Sequence, residues 1–279
     1  MRIPPNLTQR VAVTILGAAT LLAVAVLVFI VLFVMRRGLP VLGLEFLFTK
    51  SRDMGRAGGI LQALLGTLLL PLVAIGVALP LGVGTAVYLT EYTRESGLTR
   101  AIRFGTDCLA GVPSIIFGLF GFIFFVSMLR WGWSVLSGGL TLAIMVLPTI
   151  IRTSEEAIRA VPRSYREVSV SLGATRLETV MKVVLPNALP GIVTGVMLSV
   201  GRAVGETAAV IYTAGSALNI PTSIFEPVRT LAVHFYLLAR EGISDANAWG
   251  TAAVLVILVL GINLITYWLM NRLIARRTR

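Results

Sequence analysis

Apolar and polar positions alternate along the chain in long blocks rather than residue by residue. Six apolar runs stand out: 11–35, 60–90, 108–129, 140–151, 189–217 and 248–269. A bilayer core takes roughly twenty apolar residues to cross as a helix, so each run is a candidate span. The expected fold is all-α: a polytopic membrane protein of six transmembrane helices. The fourth run is short and holds Pro148, so flanking residues must extend it. The first is too long for the core of a secretory signal and has no small-residue cleavage site after it, and so is expected to be a retained helix. The segment 36–59 reads as an irregular loop ended by Gly58 and Gly59, and 218–247 as a loop with room for a short helix. Three blocks are expected: an anchor helix with its loop over 1–59, a five-helix core over 60–272, and a basic tail over 273–279.

Three places interrupt this pattern. In the third run, Gly111-Val112-Pro113-Ser114 suggests either a broken helix, whose free N-terminus would favour an anion, or a plain kink with Ser114 bonded to its own backbone, which is the favoured expectation. In the fifth, Gly191 with Gly195 and Gly201 with Gly205 are small-xxx-small pairs that let another helix approach. Arg202 lies there, thirteen residues after Leu189, about 20 Å along a helix. On a continuous helix Glu206 would share its face one turn further on. The two could simply neutralise each other, although the Arg-first order is the poorer one. Alternatively, the guanidinium offers a planar fork for a passing oxyanion, with Glu206 accepting a proton-bearing phosphate oxygen and repelling sulfate.

The third interruption is the longest, EVSVSLGATRLETVMKVVLP over Glu167–Pro186. Val168, Leu172, Leu177, Val180, Met181 and Val184 recur at helical spacing. Gly173 falls where a helix–turn–helix needs positive φ, and Thr175, Arg176 and Glu178 fit a second helix start. Two short helices outside the bilayer, joined rigidly to the next span, would act as a lever; an amphipathic loop lying on headgroups would show the same periodicity.

Composition agrees with a membrane protein: 56% hydrophobic and 13% charged. The net charge of +11 does not indicate nucleic acid, because the basic residues sit between spans and form no single soluble face. With both termini inside, fifteen basic residues fall on inner segments and eight on outer ones, as the positive-inside rule requires. The first outer loop, with Arg36, Arg37, Lys50, Arg52 and Arg56, runs against it. Cys108 is the lone cysteine, and no Cys/His cluster has metal-ligand spacing. His234 is expected to be an ordinary loop or interfacial residue. Lys50 and Lys182 lack the glycine frame of a P-loop, so any ATP must act from another chain.

Glu167, Gly173 and Val183-Val184-Leu185-Pro186 resemble the EAA loop of ABC importer permeases, with Val168 and Ser169 in place of the two alanines and Val183 in place of isoleucine. GRAVGETAAVI resembles the G-R-A-x-G-E-T signature of phosphate-specific ABC permeases. GGILQALLGTLLL, ALPLGVGTAVYLTEY, GVPSIIFGLFGF and VVLPNALPGIVTG match along the chain, and the GGI…GTL entry favours the PstA type over its PstC-type partner. The resemblance implies a MetI-like type I importer permease in the bacterial cytoplasmic (inner) membrane, importing inorganic phosphate. Its substrate-path residues would be Arg202, Glu206, Thr207, Arg152 and Ser114. Its ATPase-coupling residues would be Arg166, Glu167, Gly173, Ala174, Thr175 and Pro186. It further implies a PstC-type permease as heterodimer partner, two ATPase subunits that bind ATP and Mg, and an extracytoplasmic phosphate-binding protein. This chain itself would bind no cofactor or metal. A permease for sulfate or molybdate is the alternative; an intramembrane enzyme using Glu206 as base lacks a nucleophile–base constellation.

Overall fold

A computed structural model describes residues 5–275. The basic ends that carry Arg2, Arg276, Arg277 and Arg279 lie outside them. Among the described residues, five helices are long and apolar enough to cross a membrane, and a bent pair can supply a sixth. In order the elements are α1 (Pro5–Gly38), α2 (Leu44–Phe48), a β-ribbon of β1 (Ser51–Arg52) and β2 (Ala57–Gly58), and α3 (Leu61–Val87), which runs on through a π-turn over Tyr88–Tyr92. Next come α4 (Gly97–Ala110), α5 (Ser114–Gly121) with a π-continuation to Met128, α6 (Val135–Ala160), α7 (Arg163–Ser171) and α8 (Arg176–Thr179). A π-turn over Val180–Val184 leads into α9 (Leu185–Val204), followed by α10 (Ala208–Thr213), α11 (Leu231–Arg240) and α12 (Asp245–Ala275).

Helix α6 is the axis of the bundle, and α3, α9, α5 and α10 pack around it. It is longer than its hydropathy suggests. Its polar residues Ser137, Thr141, Ser154 and Glu155 are all buried, so they face protein and interrupt the apolar pattern without ending the helix. Pro148 sits inside it without a break. The core joins Leu70, Ala74, Leu142, Met145, Val146 and Ile150. Close approach depends on missing side chains. A Cβ on Gly82 of α3 would lie 2.7 Å from Ile150 Cγ2, and one on Gly191 of α9 would lie 2.5 Å from the Ala157 Cβ.

Helix α1 stands apart. None of the residues in its most apolar stretch is buried by the chain, and it packs on α12 and the turn that follows it. At its end Arg37 lies over the Phe33 and Trp249 rings.

Four expectations change. The segment 36–59 is ordered, with the β-ribbon pinned at its neck by buried Gln62, whose Oε1 accepts from the Ser51 amide at 2.9 Å. The third span is broken rather than kinked: α4 and α5 meet at 101°. Pro113 bars Val112 from continuing a helix, and the chain turns through Gly111 before restarting at Ser114. The fifth span also breaks, at Gly205. His234 is buried on α11 instead of lying in a loop or at an interface.

Candidate functional site

Helix α9 closes with the Gly205 amide donating back to the Gly201 carbonyl at 3.3 Å. A new helix, α10, starts three residues later. The Glu206 carboxylate accepts from the amides of Thr207 and Ala209, both at 3.2 Å. It therefore caps α10, satisfying donors that a helix start leaves free, and carries negative charge to the positive end of that helix. Arg202 and Glu206 do not stack on one helix face, and the neutralising i, i+4 pair is absent. Arg202 is exposed in the last turn of α9, favourable for a cation, and has no ion pair among the described residues.

The two glycine pairs also separate. Gly191 and Gly195 pack on Ala157 and Thr153 of α6, whereas Gly201 faces open space and Gly205 meets only its own preceding turn. So the face of α9 that carries Gly201 and Arg202 is open on this chain, while Ser199, Ala203 and Val204 on its other faces are buried.

Beyond the break lies a groove of about 750 Å³, lined by Gly205, Thr207, Ile115, Tyr212, Tyr236 and Arg240 among others. Helix α5 reaches it by packing on α10 through Gly118, where a Cβ would lie 2.8 Å from Ala209 Cα. Ser114, half-buried, opens α5 beside the groove's Ile115. Arg152 is elsewhere: on α6, half-exposed, paired with Asp107 of α4 at 2.8 Å. It lines a separate polar recess with Arg103, Glu155, Glu156 and Arg159. The structure thus brings Thr207 and the α5 start together, sets Arg202 on the adjoining open surface, and leaves Arg152 apart.

Helices α7 and α8 form the expected pair of short helices. Gly173 adopts φ +85°, and the amides of Gly173 and Ala174 return to the carbonyls of Val170 and Ser169. Thr175 then caps α8 in a reciprocal box with Glu178: Glu178 N donates to Thr175 Oγ1 at 3.3 Å, and Thr175 N donates to Glu178 Oε2 at 3.0 Å. The widened turn over Val180–Val184 precedes Pro186 and Pro190, where proline removes amide donors, so α8 flows into α9. The six periodic apolar residues divide between two faces. Val180 and Val184 are buried; Val168, Leu172, Leu177 and Met181 are 58% exposed or more. Glu167 and Thr175 are exposed beside them, and Pro186 is half-buried. Exposed apolar patches of this kind mark contact with a protein partner or a membrane surface.

Arg166 turns the other way. Its guanidinium meets Glu91, in the π-turn that ends α3, from Nε at 3.0 Å and from Nη2 at 2.7 Å. Nη1 and Nη2 also donate to the carbonyls of Val161 and Ile158 at the end of α6, at 2.7 and 2.9 Å. Glu155, 8% exposed, holds Arg103 at 2.8 Å and Arg159 at 2.6 Å. Sequence reasoning missed Glu91 and Glu155. Their basic partners, apart from Arg159, lie 52 or 75 residues away, and YLTEY reads as an interfacial aromatic segment.

A family model described as "Binding-protein-dependent transport system inner membrane component" matches residues 78–279. The chain belongs to that family. The match takes in α4 to α12, and therefore both the α9–α10 break and the α7–α8 hairpin. Among relatives, the chain is 35% identical to the "Probable ABC transporter permease protein YqgI" of Bacillus subtilis, over 95% of each. It is 32% identical to the "Phosphate transport system permease protein PstA" of Pasteurella multocida, over 93% of each. In fold, it superposes on a chain of a bacterial alginate ABC transporter with a TM-score of 0.67 at 16% identity, covering 95% of this chain and 96% of that one.

Proposed function

We propose that this chain is one of two permease subunits of an ATP-driven importer of inorganic phosphate. The observation that carries the reading is the state of the α9–α10 break: a basic residue on a spanning helix, exposed, without an internal partner, beside a glycine surface that this chain leaves uncovered. A cation placed so needs an aqueous path or a protein wall supplied by another chain. A second homologous permease of the PstC type would close that wall, with Arg202 on the path and the Thr207 groove beside it. Relatives named as PstA support phosphate as the ion, and a guanidinium suits its oxygens. Glu206, committed to capping α10, would shape the break and hold negative charge near the path.

The α7–α8 patch would take up one of two ATPase subunits in the cytosol, and both termini would then lie on the cytosolic side of the inner membrane. The β-ribbon, at the opposite end of α3, then faces the extracytoplasmic binding protein. Lys50, Arg52 and Arg56 would serve that contact, which accounts for basic residues on an outer segment.

The test is reconstitution with the partner permease, ATPase and binding protein, followed by ATP-dependent uptake of labelled phosphate. Replacing Arg202 with Gln removes a charge-assisted contact of about 1.5–3 kcal/mol, so uptake is expected to fall about ten- to a hundredfold. Unchanged uptake in that variant overturns the path. Competition by sulfate or molybdate as strong as by phosphate overturns the choice of ion.

A further inference from the structure

Helix α7 is attached in an unusual way. None of its residues is buried, so apolar packing does not hold it. The second arm of the hairpin is different: Val180 and Val184 are buried, and Val184 joins an apolar cluster with Ala86 of α3, Ile158 of α6, and Ala188 and Ile192 of α9. Apart from backbone continuity, α7 is held to the second arm by a hydroxyl pair, Ser169 Oγ to Thr179 Oγ1 at 2.9 Å, and to the bundle by the Arg166 side chain.

That side chain ties its own helix to two others at once. Arginine carries five N–H donors in a fixed plane. Here they reach the Glu91 carboxylate at the end of α3 and the Ile158 and Val161 carbonyls at the end of α6. Those carbonyls belong to a helix end, where acceptors lack their full set of intrahelical donors: from the backbone, Ile158 O accepts only a turn bond from the Val161 amide at 3.3 Å, and the negative end of the α6 dipole favours the guanidinium. Glu91 is 11% exposed and Arg166 22%. In a site so shielded, removing one partner strands the other. The planar fork also fixes angle as well as distance, so α7 cannot swing on it as it could on a lysine.

We propose that Glu91 is a positioning residue for energy coupling: with Arg166 it makes α7 rigid with the ends of α3 and α6, so that displacement of the hairpin moves the membrane bundle. The inference rests on the reading of α7–α8 as the surface that takes up the ATPase. It gives Arg166 an inward role, distinct from contact with that partner.

The experiment uses the full complex with Cys108→Ala and spin labels at Val170→Cys on α7, one turn beyond Arg166 and outside the named patch residues, and Leu81→Cys on α3. With Glu91 in place, the distance between labels is expected to be the same in the nucleotide-free and the ATP–vanadate-trapped complex. In Glu91→Gln it is expected to broaden or split on trapping, and ATP hydrolysed per phosphate imported is expected to rise about tenfold. Glu91→Asp, which keeps the charge on a shorter arm, is expected to fall between the two, and it decides the question if the Gln variant does not assemble. A single unchanged distance in the variant, or an unchanged ratio, overturns the proposal. The distance arm requires no phosphate, so it stands even if the transported ion is another one.

Discussion

The two ends of the bundle hold their short helices by opposite means. At one end, α7 projects with no buried residue and is fastened by Arg166. At the other, α11 sinks its first turn into the protein, with Leu231, Ala232, Val233 and His234 all buried. Thr67 Oγ1 of α3 accepts from the Leu231 amide at 2.8 Å. Asn247 of α12 donates to the Gly55 and Arg56 carbonyls of the β-ribbon loop. Buried packing sets shape and resists displacement; a few directed polar contacts set orientation while leaving apolar surface for a partner. If the ATPase docks on α7–α8 as proposed, the α7 end is the one that would be pushed, and the α11 end the one that stays put.

Substitutions at the two ends should therefore separate stability from coupling. The largest loss of stability is expected for Gly55→Leu. Gly55 has φ +106°, and even a Cβ would meet His234 Cε1 at 2.8 Å and Leu238 Cδ2 at 2.9 Å. Overpacking of about 1–3 kcal/mol adds to left-handed strain of about 1–2 kcal/mol. A clear fall in the melting temperature of the detergent-solubilised complex checks this, and an unshifted melt would break the contrast. Gly173→Val should cost only the strain, about 1–2 kcal/mol, because nothing lies near its Cβ. Its phosphate uptake should nevertheless collapse while ATP hydrolysis continues. Normal uptake would remove the lever. Smallest in stability is Leu172→Asp, at 83% exposed. It should stay within about 0.5 kcal/mol of the parent but lose co-purification with the ATPase.

Acid sharpens the comparison further. Arg229 can only donate, so at 3.3 Å its Nη1 makes His234 Nδ1 an acceptor and leaves the proton on Nε2, which has no partner. Burial and the Arg229 charge push the histidine from its ordinary 6.5 down to about 4. The folded state therefore stays neutral where the unfolded chain takes up a proton. Stability is whole above about 6.5 and declines as pH falls toward 4. Protection of the α11 amides, taken relative to their intrinsic exchange rates, should fall over that window while that of α7 does not follow it, and His234→Gln should flatten the α11 response.

What was legible in the sequence was what is decided locally. Gly173 and the Thr175–Glu178 cap depend on neighbours within four residues, and both formed as their residue types require. Helix α6 was under-read because side-chain polarity does not say whether a serine faces lipid or protein. The break at Gly205 was hidden inside an apolar run whose glycines have the spacing of a packing motif; only the Glu206 cap shows that Gly205 ends a helix. Glu91 was beyond reach for a different reason. Its value lies in a partner seventy-five residues away, and a single acid near a span end has no local mark of that.

The bare Arg202 surface also bears on how such a subunit is made. A guanidinium left against lipid costs about 2.5–3.5 kcal/mol on insertion scales, roughly a hundredfold bias against the solitary inserted chain. On the proposed pairing, a newly synthesised copy would gain that back only when a second permease shields the helix. Unequal expression of the two halves would then leave the surplus poorly seated and open to proteolytic clearance, a stoichiometry check written into one side chain.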